Sequence, residues 1–191
     1  MLHEQNLFTS GVGIRYRSQL MVEANNREVS LSDTFSLEIG TRLPPMNIVR
    51  FADWHPMDIQ DLAASDGLFK IIIFSGDLQG DIESKGLREF AEHLQLLADK
   101  KQGSILFKQF TMFTVVTEYK ESDIWSFIPP FLRNWRRIFT DRDSNINTEG
   151  NQNGVAKQRG TVVVRPDGYI SAILEVSGRS AAFLCEYLKH L

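Results

Sequence analysis

The chain has 191 residues, which suits one domain with an appended arm, and its 42% hydrophobic content can fill a sizeable core. Lysine and arginine number 21 against 24 acidic residues, and the resulting net charge of -3 gives no general electrostatic reason to bind nucleic acid or an anionic membrane. The single cysteine, Cys185, excludes an intrachain disulfide and reads as a buried structural thiol in a reducing compartment.

The N-terminus, MLHEQNLFTSGVG, lacks the basic and then apolar regions of a signal peptide, and no apolar run approaches the roughly 20 residues of a membrane span. The expected location is cytoplasmic. Residues 1–40 have weak periodicity, with a short strand expected around Ile14–Tyr16 and a polar stretch from Glu23 to Asp33. They read as an arm or linker laid over a domain of residues 41–191. Asn47–Ala52 can form a strand that Asp53-Trp54-His55-Pro56 reverses and Met57–Leu62 returns. Phe69–Phe74, FKIIIF, is β-branched and aromatic; entered through Asp66-Gly67 and left through Ser75-Gly76-Asp77, it predicts a strand buried on both faces.

From Ser84 the period changes. Leu87, Phe90, Ala91, Leu94, Leu97 and Ala98 recur at spacings of three and four, predicting a helix capped by Ser84 with Gly103 beyond its end. Phe110–Thr117 reads as a second buried strand. In residues 124–140, Phe131, Leu132, Trp135, Ile138 and Phe139 fit a helical face, while the tail RRIFT suits a strand equally well. Residues 141–160, rich in Asn and Gly, predict a long polar loop. Thr161–Val164 and Tyr169–Leu174 flank Arg165-Pro166-Asp167-Gly168, a tight-hairpin signal. A last helix over about Gly178–His190, capped by Ser177, would bury Phe183, Leu184, Tyr187 and Leu188.

Buried strand, helix, buried strand, connection, hairpin and final helix is the order of an α/β domain, a mixed sheet flanked by helices. That order is thioredoxin-like. In a redox-active protein of this kind the loop after the first buried strand holds Cys-x-x-Cys; here it reads Ser75-Gly76-Asp77-Leu78-Gln79-Gly80, which excludes dithiol chemistry at that place.

Gly11-Val12-Gly13 opens like a dinucleotide loop, but neither a third glycine nor a helix completes it, so no FAD site and no other cofactor site is assigned. The histidines, His3, His55, His93 and His190, are scattered without metal-ligand spacing. Asp53 and His55 share a turn with Trp54; a carboxylate could orient the imidazole there as a general base, although a capped turn with an exposed His is the simpler reading. Asp77 follows the buried strand where open sheets place ligands, and helix capping or turn closure explains it more cheaply. Arg133, Arg136 and Arg137 lie among Trp125, Phe127, Phe131 and Trp135, a mixture read first as core packing with a solvated basic edge and second as a protein interface. Arg165, with no acidic companion adjacent in sequence, is expected to make a structural or interface contact.

Five pieces in order resemble the C-terminal domain of phenol 2-monooxygenase and related flavin-dependent aromatic hydroxylases. They are LFTSGVGIRY at Leu7–Tyr16, GTRLPP at Gly40–Pro45, FKIIIFSGD, WRRIFTD at Trp135–Asp141 and GTVVVRPDGYIS at Gly160–Ser171. The resemblance implies a thioredoxin-like fold without redox cysteines, associated with dimerisation, while FAD and the phenol are held by larger domains that precede it. It also implies a strand over Arg136–Thr140. After Asp141, where members carry a His-Gly-rich segment followed by Ala-Tyr and Tyr-Gly, this chain reads RDSNINTEGNQNGVAKQRG. The expected function is a non-catalytic module that forms a homodimer or docks onto a flavin-dependent hydroxylase. Two alternatives stand beside it: a small stand-alone enzyme or binder of aromatic or polyketide-like molecules, using Asp53, His55 or Asp77, and a piece of a full FAD-dependent phenol monooxygenase.

Overall fold

The structure, a computed structural model, describes residues 14–16, 22–23, 37–76, 78, 80–99, 107–116, 124–140 and 159–189. In chain order the described strands are β1 (Val22–Glu23), β2 (Asn47–Arg50), β3 (Pro56–Asp58), β4 (Phe69–Phe74), β5 (Phe110–Val116), β6 (Ile138–Thr140), β7 (Gly160–Val164) and β8 (Ile170–Leu174). The helices are α1 (Asp81–Ala98), a single turn α2 (Ile124–Phe127) and α3 (Gly178–Lys189), with 3-10 turns at Ile59–Leu62 and Pro130–Leu132. All eight strands join one mixed sheet in the order β1-β8-β7-β4-β5-β6-β2-β3.

β4 is central because its six residues can bury both faces. It runs parallel to β5, Phe69 opposite Phe110 and Phe74 opposite Val115, and antiparallel to β7, Lys70 opposite Val164. Both backbone edges are thereby hydrogen-bonded, and alternate side chains go to opposite faces. Ile71 and Ile73 join Leu87, Phe90, Leu94, Leu184 and Cys185 under α1 and α3. Ile72 and Phe74 join Leu43, Met46, Ile48, Ile59 and Leu62 on the other face, which is covered by the segment from Leu37 to Leu62 rather than by a long helix. Lys70, also buried, extends its ammonium to the Asp66 carboxylate and, at 3.0 Å, to the Leu68 carbonyl, so its charge is met at the strand entrance.

α1 and α3 lie together on one face of the sheet, and two glycines set their approach. A Cβ at Gly86 would stand 2.5 Å from the Val176 carbonyl oxygen, and one at Gly178 would stand 2.8 Å from the His93 ring nitrogen Nδ1. At Ser177 the hydroxyl accepts the Ser180 N–H at 3.2 Å, the N-cap expected for α3.

Several boundaries differ from the sequence expectations. Ser84 does not cap α1: the helix begins at Asp81 behind Gly80, and the Ser84 N–H donates to the Gly80 carbonyl as an interior residue. Ile14–Tyr16 is not a strand; its one described backbone tie is Tyr16 N–H to Gly40 O at 2.8 Å. β2 ends at Arg50, and β3 ends at Asp58, because the Asp58 side chain accepts the Gln60 N–H and turns the chain into the 3-10 helix. Residues 124–140 resolve the helix-or-strand conflict by being neither throughout. Pro129 and Pro130 break the helical pattern and Arg133–Arg137 loops out before β6 starts at Ile138, two residues inside the Arg136–Thr140 strand. Gly160 belongs to β7 rather than to the polar loop, and Tyr169 precedes β8, bridging instead to Arg42. In α3 Leu184 is buried whereas Phe183 and Tyr187 are half-buried. Gly103, His190 and residues 141–158 lie outside the described residues.

Candidate functional site

The β4–α1 junction is where a thioredoxin carries its thiols. Here Ser75 is buried, its hydroxyl 3.2 Å from Gly76 O, and it is spent on backbone. Gly76 has φ +70°, a left-handed conformation that favours glycine. Over it Glu83 of α1 and Arg159 before β7 meet at 3.2 Å, and a Cβ on Gly76 would touch both side chains, at 3.3 and 3.4 Å. An ion pair thus lies over Gly76, in the described part of the junction. Asp77 itself lies outside the described residues.

Asp53 and His55 are brought together, but not as a catalytic couple. The Asp53 carboxylate accepts the backbone N–H of His55 at 3.2 Å and stands 3.5 Å from Arg50 Nε, so it closes the β2–β3 turn instead of orienting an imidazole. Trp54 at the tip has φ +58°, the one positive value at a described non-glycine residue, and its ring meets Phe51 edge-on at 6.0 Å while remaining 45% exposed. Nothing in the sequence announces that conformation, because it is imposed by the Asp53 turn and the Trp54 N–H bond to Arg50 O.

The basic and aromatic segment divides by role. Arg133 is structural: its guanidinium donates to Ile128 O at 2.8 Å and Ser126 O at 3.3 Å, tying the Pro129-Pro130 bend together. Arg136 lies over the Trp135 ring, 4.6 Å from its centroid, and that ring is 52% exposed. Between α1 and the bend is an open groove of about 260 Å³ lined by Arg88, Glu92, Phe127, Pro130, Phe131 and Arg133. Its volume falls just short of the roughly 300–1,000 Å³ usual for ligand pockets, and Asp53 and His55 are not among its walls.

At the β7–β8 turn, Arg165 pairs with Asp167 at 2.8 Å, so its acidic companion is two residues away rather than missing. Leu43 N–H bonds to Gly168 O, Gly40 N–H to Ile170 O, and the Tyr16 and Tyr169 rings meet edge-on at 4.8 Å. Three separated pieces, IRY, GTRL and RPDGY, therefore converge on one turn. Burial pushes the Tyr169 hydroxyl pKa up, with Tyr16 adding to it. Sequence could not reveal this pairing, since its partners are more than 150 residues apart. At the entrance of β4, the Lys70 ammonium holds the Asp66 carboxyl below its ordinary range. Cys185 is buried as expected. Among the described residues no group of three His, Cys, Asp or Glu side chains could hold a metal ion, and no helix is long and apolar enough to cross a membrane.

Comparison with known proteins places these features. Residues 14–191 match the family described as phenol hydroxylase, C-terminal dimerisation domain. Among relatives, the chain is 25% identical over 202 residues to the FAD-dependent monooxygenase terD of Aspergillus terreus, an alignment covering 95% of this chain and 33% of that protein. The chain thus spans about a third of the length of such relatives. Among solved structures, the flavin-dependent monooxygenase PieE in complex with FAD and substrate aligns with TM-score 0.52 at 15% identity, covering 94% of this chain and 25% of that one. The thioredoxin domain of a thiol-disulfide oxidoreductase from Bacteroides vulgatus aligns with TM-score 0.52 at 16% identity, covering 78% of this chain and 99% of that domain. The fold is thioredoxin-like.

Proposed function

The chain belongs to the phenol hydroxylase C-terminal dimerisation-domain family, and from that membership we propose that it is a non-catalytic, redox-silent module that joins two copies of its protein. The observation that carries this reading is the β4–α1 junction. A thioredoxin-like fold is kept, while the place of its chemistry holds Ser75 turned into backbone and a Glu83–Arg159 ion pair. In this arrangement residues 41–191 are the module and residues 1–40 its arm, tied to the module where the Tyr16 ring meets Tyr169 and Gly40 N–H bonds to Ile170 O. A second reading, docking onto a flavin-dependent hydroxylase, is favoured by the likeness of the chain to FAD-dependent monooxygenases.

Size exclusion with light scattering over a wide concentration range tests the first reading. It predicts a mass that rises toward twice 21.8 kDa. A species that keeps the single-chain mass at the highest concentration, yet binds a purified flavin-dependent phenol hydroxylase, would replace the first reading with the second.

A further inference from the structure

The groove between α1 and the Pro129-Pro130 bend plays no part in the dimerisation reading, and its two walls differ in chemistry. On α1, Ser84, Arg88, Ala91 and Gln95 recur at spacings of three and four, so one helix face forms the first wall. Ala91 is buried and ends at its Cβ, which leaves depth between the longer side chains around it. Across from it, the bend supplies Phe127 and Phe131. The Phe127 ring is 38% exposed, and the Phe131 ring is braced edge-on by Phe107 at 5.7 Å. An aromatic wall held in place by its neighbours can receive an apolar body without first rearranging.

The charges select what that body carries. Two guanidiniums, Arg88 and Arg133, line the groove against one carboxylate, Glu92, so on a chain of net charge -3 this place is locally positive. Arg133 is fixed by its bonds to Ile128 O at 2.8 Å and Ser126 O at 3.3 Å, which use Nε and Nη2 and leave Nη1 without a bond among the described residues. Arg88 makes no hydrogen bond or ion pair with a described residue. Glu92 stands one turn further along α1, but Arg before Glu is the weaker order for such a pair. A guanidinium with free donors matches a carboxylate in charge and in planar geometry. The volume of about 260 Å³, below that usual for larger ligands, suits a molecule of one ring. We propose that this groove binds a small aromatic carboxylate, its anionic head taken by Arg88 and Arg133 and its ring laid against Phe127 and Phe131. The proposal goes beyond the dimerisation reading and does not depend on it.

Titration of the isotope-labelled full chain with phenylacetate at neutral pH, followed by amide NMR shifts, tests it. Saturable shifts are expected at Ala91, Phe127 and Phe131. Phenylacetamide, which keeps the ring and loses the charge, and acetate, which keeps the charge and loses the ring, should each bind at least about tenfold more weakly. Arg88→Ala alters an exposed side chain, so the thermal midpoint should stay at the wild-type value while the phenylacetate dissociation constant rises about tenfold or more, with Arg88→Lys between the two. Phe127→Ala should weaken phenylacetate while leaving acetate unchanged. Absence of saturable shifts at these amides, or an Arg88→Ala constant within about twofold of wild type, would overturn the site. Acetate or phenylacetamide binding as tightly as phenylacetate would overturn the ligand class. Each of these outcomes is read at whatever oligomeric state the chain adopts, so none of them bears on dimerisation.

Discussion

Gly86 gives the sharpest energetic prediction. It lies in α1 on the side turned to the β8–α3 connection, where an added Cβ would stand 2.5 Å from Val176 O against about 3.4 Å for ordinary contact. Gly86→Ala must therefore move α1 and α3 apart by roughly 0.9 Å or bend the Val176 peptide, and the obstacle is backbone, which cannot rotate away. Overpacking of this kind costs about 1–3 kcal/mol. Alanine in a helix interior returns about 0.8–1.0 kcal/mol through propensity. The net is a destabilisation of up to about 2 kcal/mol, which for a chain of this size lowers the thermal midpoint by up to roughly 8 °C. Differential scanning calorimetry beside Lys85→Ala, on the exposed side of the same turn, separates packing from propensity. A Gly86→Ala midpoint at or above wild type would refute the close approach of α1 to the Val176 peptide.

Ser177→Ala should destabilise the chain by about 0.5–2 kcal/mol in urea unfolding through loss of the α3 cap, with Ser177→Asp keeping most of the stability. Asp66, held below its ordinary carboxyl range by Lys70, contributes stability that is present above its unfolded pKa of about 3.9 and lost as pH falls through its lower folded value. Urea unfolding from about pH 6 to 2 should find wild type more stable than Asp66→Asn near neutrality and the gap closing in acid; a gap independent of pH would contradict the Lys70 pairing. Tyr16→Phe should lower the raised pKa of Tyr169, read by ultraviolet titration of the phenolate, because Tyr16 adds to the effect of burial. An unchanged titration would place Tyr16 away from that ring.

The parts of the fold legible in sequence are those written in one continuous pattern. FKIIIF could only be a central strand, since four bulky apolar side chains on alternating faces need cover on both sides, and the Leu87–Leu94 spacing fixes one face of α1. RPDGY reads directly as a turn. Boundaries are less legible because they depend on neighbours: α1 starts three residues before Ser84, and β6 starts only where it finds β5 and β2 to pair with. The candidate site follows the same rule. The missing thiols of the Ser75–Gly80 loop are plain in the sequence, whereas the Glu83–Arg159 pair and the Tyr16–Tyr169 contact join residues 76 and 153 positions apart. Asp53 and His55 can be placed in one turn from the sequence, but not the hydrogen bond, which runs from the His55 backbone N–H to the Asp53 carboxylate and uses that carboxylate to close the turn.

The central claim is that the chain joins two copies while performing no thiol chemistry. Native mass spectrometry of the purified chain at micromolar concentration tests it most directly. The account predicts a dominant species at twice 21.8 kDa that dissociates on activation into intact chains without reductant, as the single buried Cys185 requires. A spectrum holding only the 21.8 kDa species across the concentration range, or a two-copy species that needs a reductant to separate, would contradict it.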